Sequence, residues 1–204
     1  MPLSPPAPRD MLHRREIDIR GWRRADGLYD IEAHLKDSKA HPFENDDRGT
    51  IQPGEPLHGL WLRLTVREDM EIVATEAASD HTPYAVCPAA APNFTRLAGL
   101  RIGPGFVRAA NERVGGIHGC THLREMLGQM ATTAFQTLYP VRAARERAET
   151  ARILAGGGTV AKRRPAMLGT CIAYAPDSPV TLARWPWLKD AAPAEVAAAE
   201  VVVE

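Results

Sequence analysis

The chain predicts an α+β fold, because it runs through consecutive strands, then consecutive helices, then a last hairpin. Three observations carry that prediction. Apolar residues alternate with polar ones in four stretches between Arg14 and about Ala78, each bounded by turn or loop residues. After His81 the texture changes to short apolar segments interrupted by glycine and proline. From Leu123 onward Met126, Leu127, Met130, Ala134 and Leu138 fall at steps of three and four, which is the stripe of an amphipathic helix.

The elements follow in order. Residues 1–13 hold four prolines and little to bury, so they predict a mobile tail, with one domain over 14–190 and a second tail over 191–204. Ile17 and Ile19 alternate with polar residues, Asp26-Gly27 supplies a tight turn, and Tyr29, Ile31, Ala33 and Leu35 share one face of the return strand. The polar, glycine- and proline-rich stretch KAHPFENDDRGTIQPGEP predicts a long loop. A second hairpin follows, with Leu62, Leu64 and Val66 on one face, a turn at Glu68-Asp69, and a return strand to about Ala78. Short helices are expected near 92–99 and 104–113, and a long one from Leu123. Residues 141–165 read as a solvated helical extension and a linker. LGTCIAYAPDSPVTLARWPWL reads as a C-terminal hairpin turning at Pro176-Asp177, with Cys171 buried in a strand.

Composition narrows the function. The chain has 204 residues, 45% of them hydrophobic, enough for one good core. Its 25 basic and 25 acidic residues cancel, so no global positive field draws it to phosphate backbones, and nucleic acid is not the expected partner. No stretch approaches the roughly 18 consecutive apolar residues of a membrane helix. Prolines occupy the place where a signal peptide carries its apolar core, which predicts a cytoplasmic protein without a membrane partner. Three well-separated cysteines argue for reduced thiols rather than a disulfide framework.

Three loci carry ligand-type side chains beside glycine or proline: GEPLHG with His58, PYAVCP with Cys87, and HGCTH with His118, Cys120 and His122. Each falls where a loop meets a regular element, the usual place for a site built on a rigid frame. No CxxC pair occurs, so this is not a zinc-finger pattern. If Thr121 caps the long helix, Cys120 lies just before its first turn, where unpaired N–H groups and the helix dipole favour a thiolate. In an extended segment His118 and Cys120 share a side and can share a metal, which makes His122 the less favoured partner. Glu55, Asp80 and His81 border the same loops as acid or base helpers. His13, His34 and His41 have no ligand-type companion close in sequence, and Trp61 reads as a residue packed on a sheet face.

The blocks GEPLHGLWLRLTV, DHTPYAVCP, LAGLRIGPGF and GCTHLREMLGQMATTAFQ resemble a bacterial family catalogued only as a domain of unknown function, over roughly residues 14–190. The same order of features resembles the NifU-like and SufU-like scaffolds of iron–sulfur cluster assembly. That resemblance implies a small antiparallel sheet covered by helices on one face. It places His58 at the first ligand position, Cys87 at the second, Cys120 at the third, and His118 near the histidine position. This chain has His58-Gly59-Leu60 where the scaffolds have Cys-Gly-Asp, so it lacks a thiolate and a carboxylate.

Two cysteines and one or two histidines form a borderline-soft set that suits Zn²⁺ or Fe²⁺ better than a labile cluster. The resulting expectation is a small metalloenzyme of hydrolase or lyase type acting on a small molecule. His58, Cys87, Cys120 and His118 are its metal ligands, and Cys120, His118 and Glu55 are its catalytic groups. The alternatives are a metal or iron–sulfur carrier serving a partner protein, an enzyme using Cys120 as nucleophile with His118 as base, and a metal-free binding module.

Overall fold

The structure, a computed structural model, describes residues 3–160, 164–165 and 167–189. By its internal contacts the chain divides into two compact units, residues 1–144 and 145–204.

The first unit is mixed α+β, with a small antiparallel sheet and several helices. Strands β1 (His13–Arg23), β2 (Tyr29–Lys39), β5 (Pro56–Val66) and β6 (Ile72–His81) form one sheet in the order β1-β2-β5-β6, all neighbours antiparallel. Both hairpin turns expected from the sequence form, at residues 24–28 and 67–71. The long loop between β2 and β5 carries a small ribbon of its own, β3 (Phe43–Asn45) paired with β4 (Gly49–Ile51).

Period-two alternation dictates which face is covered. Tyr29, Ile31, Ala33 and Leu35 of β2 and Leu60, Leu62, Leu64 and Val66 of β5 are all buried on one face. Against that face pack Phe94 and Leu97 of a 3₁₀ helix (Cys87–Leu97), Phe106, Ala110 and Val114 of α1 (Phe106–Val114), and the stripe from Leu123 to Leu138 of α2 (Thr121–Ala155). Helix α2 is longer than its apolar stripe: it continues past Pro140 as the solvated extension that residues 141–155 suggested. Gly21 of β1 permits the close approach of α2, since a Cβ there would collide with the Thr137 hydroxyl. Met70, buried in the β5–β6 turn, is the one non-glycine residue among those described with positive φ, at 74°.

In the second unit the expected C-terminal hairpin does not form. Residues 168–189 hold a 3₁₀ turn (Ile172–Tyr174), α3 (Pro179–Arg184) and a last 3₁₀ turn (Pro186–Lys189). Proline explains the difference. Pro176, Pro179 and Pro186 each lack the N–H that a ladder requires, and Ser178-Pro179 is a helix start whose serine hydroxyl accepts the Thr181 N–H. Cys171, expected in a strand, is exposed. Tyr174 and Trp185 meet with ring centroids 5.9 Å apart. The expected tail over 191–204 lies outside the described residues.

Candidate functional site

Three rows of core-facing side chains end in polar groups at the same edge of the sheet. On β1 the row Ile19, Ile17 continues to Arg15 and His13; on β2 Leu35 is followed by Asp37; on β5 Leu60 is followed by His58. The register aligns them, because Arg15 pairs with Asp37 and Asp37 pairs with His58 across adjacent strands. Just beyond this row a β-bulge lets Ser38 pair with Pro56, so Leu57 is the extra residue on β5. The first turns of α2 then bring His122 and Glu125 onto the row. At the start of that helix the Cys120 carbonyl accepts the Arg124 N–H at 3.0 Å, so Cys120, rather than Thr121, takes the capping position.

Asp37 is the centre of the arrangement, with only 1% of its side chain exposed. Arg15 grips it with both prongs, Nε donating to Oδ1 and Nη2 to Oδ2, each at 2.8 Å. Nη1 of the same guanidinium donates to Glu125 Oε2 at 2.7 Å. His13 Nε2 stands 3.2 Å from Oδ1. On the other oxygen, Oδ2, His58 Nδ1 stands at 3.2 Å and His122 Nε2 at 3.9 Å. The rings of His58 and His122 lie against each other with centroids 3.8 Å apart and planes tilted by 34°.

These contacts set the protonation states. Burial pushes the His58 imidazole down to about 4, helped by nearby His122 and opposed by Asp37. Burial, then the charge of Arg15, lowers His122 as well. For Asp37 burial acts upward, but hydrogen bonding and charge from Arg15, then His58 and His13, outweigh it and hold the carboxyl below its usual range. The site at neutral pH is therefore two neutral imidazoles beside a carboxylate. His58 Nδ1 is buried, and its 3.2 Å approach to Asp37 Oδ2 is close enough to raise its proton affinity but too poorly aligned for a good hydrogen bond.

Asp37, His58 and His122 are the group of metal-ligating side chains that converges among the described residues, each offering one donor atom with all three within 4.8 Å of one another. Of the residues singled out from sequence, His58 belongs to it. Cys87 begins the 3₁₀ helix over 87–97, half-buried, and is not part of the group. Cys120 is half-buried against the core, with Sγ 4.0 Å from His122 Nδ1, and supplies no atom to the group either. His118 is exposed at the end of a one-turn 3₁₀ helix, Gly116–His118. Glu55 is tied into its own turn, accepting from the Gln52 N–H and from Arg48 Nη2. Asp80 and Trp61 meet on the outer face of the sheet, where Trp61 Nε1 donates to Asp80 and the indole stacks on His34.

Sequence reasoning passed over Asp37, Arg15 and His13 and ranked His122 below His118. A signal for the first three was present: each lies at period two on a row that had been apolar up to that point. His122 is brought in by the direction in which α2 leaves its first turn, which the local pattern of histidines does not encode.

No curated protein and no solved structure matches this chain. The resemblance to NifU-like and SufU-like scaffolds thus has no support from known proteins, and its Cys-based ligand set is not what the fold brings together. Residues 13–136 match the model of a family described as a protein of unknown function, DUF2889, a span that begins at His13 and contains the whole sheet and every residue of the Asp37 cluster. The chain belongs to that family.

Proposed function

We propose that this protein binds one Zn²⁺ or Fe²⁺ through Asp37, His58 and His122 and is a metalloenzyme that uses the ion's remaining positions on a small-molecule substrate. The observation that carries the reading is the convergence of these three donors, with the buried His58 nitrogen 3.2 Å from Asp37 Oδ2 but poorly aligned with it. Donors sharing one tetrahedral ion at metal–ligand distances of about 2.0–2.2 Å stand about 3.3 Å apart. The separations from Asp37 Oδ2 are 3.2 and 3.9 Å and all three donors lie within 4.8 Å of one another, so the side chains have to draw together to share an ion. Both imidazoles are held neutral by burial, so an ion does not have to displace protons from them at neutral pH.

The chemistry of the donor set favours these ions. Two imidazoles and one carboxylate leave coordination positions open, a pattern shared by catalytic zinc and by non-haem iron sites. A bound ion supplies a water of lowered pKa or a Lewis acid for a substrate oxygen. Arg15 and His13 act from behind: they fix the Asp37 carboxylate so that Oδ2 stays beside the two histidine nitrogens.

A metal-free reading has one observation in its favour, the line from Cys120 Sγ through His122 to Asp37, with steps of 4.0 and 3.9 Å. That is the order of a thiol, base and orienting acid, at separations longer than a working relay. Elemental analysis of protein purified without chelator decides between them. About one zinc or iron per chain, lost in His58→Ala and retained in Cys120→Ala, is the expected result. Absence of metal after incubation with either ion, together with alkylation of Cys120 faster than a free thiol, would remove the metal reading.

A further inference from the structure

Arg15 serves two carboxylates of unequal standing. Its bond to Asp37 is fixed, because that side chain is 1% exposed and has no water to retreat to. Its bond to Glu125 is open at both ends, with the arginine 36% and the glutamate 45% exposed. An ion pair of the second kind is worth about 0–1 kcal/mol, so a competing anion displaces it at little cost. Glu125 lies three residues after His122, on the same face of α2, so the Arg15 Nη1 prong meets the helix one turn from that histidine, close enough for its charge to lower the His122 imidazole.

Charge adds to geometry. With a divalent cation on Asp37, His58 and His122, the ion and Arg15 together outweigh Asp37, and Glu125 is what neutralises part of the excess. When Glu125 turns into water, the mouth of the site is positive and presents two different receptors side by side: a planar guanidinium prong and an open metal position. The guanidinium matches a carboxylate, and the metal matches a neutral or ionised oxygen.

Resting on the metal reading above, we propose that the site takes a small hydroxy- or oxo-carboxylic acid, whose carboxylate replaces that of Glu125 on Arg15 while its second oxygen reaches the cation. Glu125 is then a built-in stand-in for the substrate carboxylate and a competitor to it.

The test loads the full chain with Co²⁺ and follows its visible absorption while pyruvate is added, with pyruvamide and inorganic phosphate as comparisons. Pyruvate should give a saturable change that pyruvamide does not, and phosphate should be the weaker anion. Glu125→Ala, compared at saturating Co²⁺, should tighten pyruvate binding by about two- to fivefold, the equivalent of removing a competitor worth up to about 1 kcal/mol. Arg15→Lys, which keeps the charge but cannot hold Asp37 with two prongs and still reach a substrate with the third, should weaken pyruvate by about tenfold at saturating Co²⁺. If Co²⁺ binds but pyruvate has no effect, or phosphate matches it, or Glu125→Ala changes nothing, this inference fails and the metal site stands. If Co²⁺ does not bind, the metal site itself is refuted and the inference goes with it.

Discussion

The His58 ring on β5 lies against the His122 ring in the first turn of α2, centroids 3.8 Å apart, although 64 positions separate them in the chain. Two imidazoles so close repel each other when both are charged. Their contact is stable because burial keeps them neutral, and it joins the start of the helix to the end of the sheet at the point where the core stops.

That contact leads to a separation between binding and stability. His58→Ala deletes a proposed metal ligand and also a buried nitrogen poorly aligned with Asp37, whose burial costs about 1–3 kcal/mol. The loss of packing and the relief of that cost are similar in size. Metal affinity should fall by at least about 100-fold, more than the 10- to 100-fold of an outer-shell change, while the metal-free protein keeps its melting temperature within a few degrees. Isothermal titration with Zn²⁺ and a thermal melt in chelator check the two halves.

Metal and fold should be linked by mass action. An ion present at about 100 times its Kd stabilises a folded site by about 2.7 kcal/mol. At about 2–4 °C per kcal/mol for a chain of this size, chelator should lower the melting temperature by about 5–10 °C. His122→Ala protein should show no such response, and an equal response there would place the ion elsewhere.

The metal-free protein should lose stability in mild acid. His58 has a folded-state value of about 4 against an unfolded value near 6.5, so between these the unfolded chain binds the extra proton. The stabilisation is full above pH 6.5 and disappears as pH falls toward 4, by at most about 3 kcal/mol at 1.36 kcal/mol per unit. Asp37, held below its usual range, adds a further loss as pH falls through the carboxylate region. Urea midpoints in chelator at pH 7.5 and 5 should differ, and His58→Ala should flatten the difference.

A change remote from the site should do the reverse. Gly21→Ala drives a methyl into Thr137 of α2, an overpacking worth about 1–3 kcal/mol. Melting temperature should drop with metal stoichiometry unchanged. Loss of metal in this variant would show that the site depends on how α2 seats on β1 far from His122.

Much of the first unit was legible because its strands obey period two and its longest helix carries a clean stripe. The hairpin turn at Asp26-Gly27, the core residues of β2 and β5, and α2 all follow from local pattern. The segment after Leu168 was misread because alternating apolar residues there coexist with prolines that a ladder excludes. The site was half legible. His58 stood out beside glycine, but the weight given to Cys87 came from its place at a loop end beside proline and from the scaffold resemblance, and that given to His118 and Cys120 from their closeness in sequence. The arrangement in space is set by cross-strand register, which pairs Arg15, Asp37 and His58 from three separate strands. Asp37 sits in LKDS, a stretch with no motif, and only the continuation of the Leu35 row marks it.

The bulge beyond Asp37 and His58 works like a frame marker. Upstream of it, a one-residue deletion between Ile31 and Asp37 would turn the ligand outward together with half the core row, so the fold and the site are inherited or lost as one. On the loop side of it, the chain from Ala40 to Glu55 leaves the sheet into the β3–β4 ribbon and returns at Pro56, and the mismatch is absorbed at Leu57 before the ladder resumes at His58. Lengthening or trimming that ribbon leaves the ladder phase untouched. Segments of other lengths can therefore be exchanged at this position without moving Asp37 or His58, which makes it the natural point for redesign and the place where homologues should differ most in length.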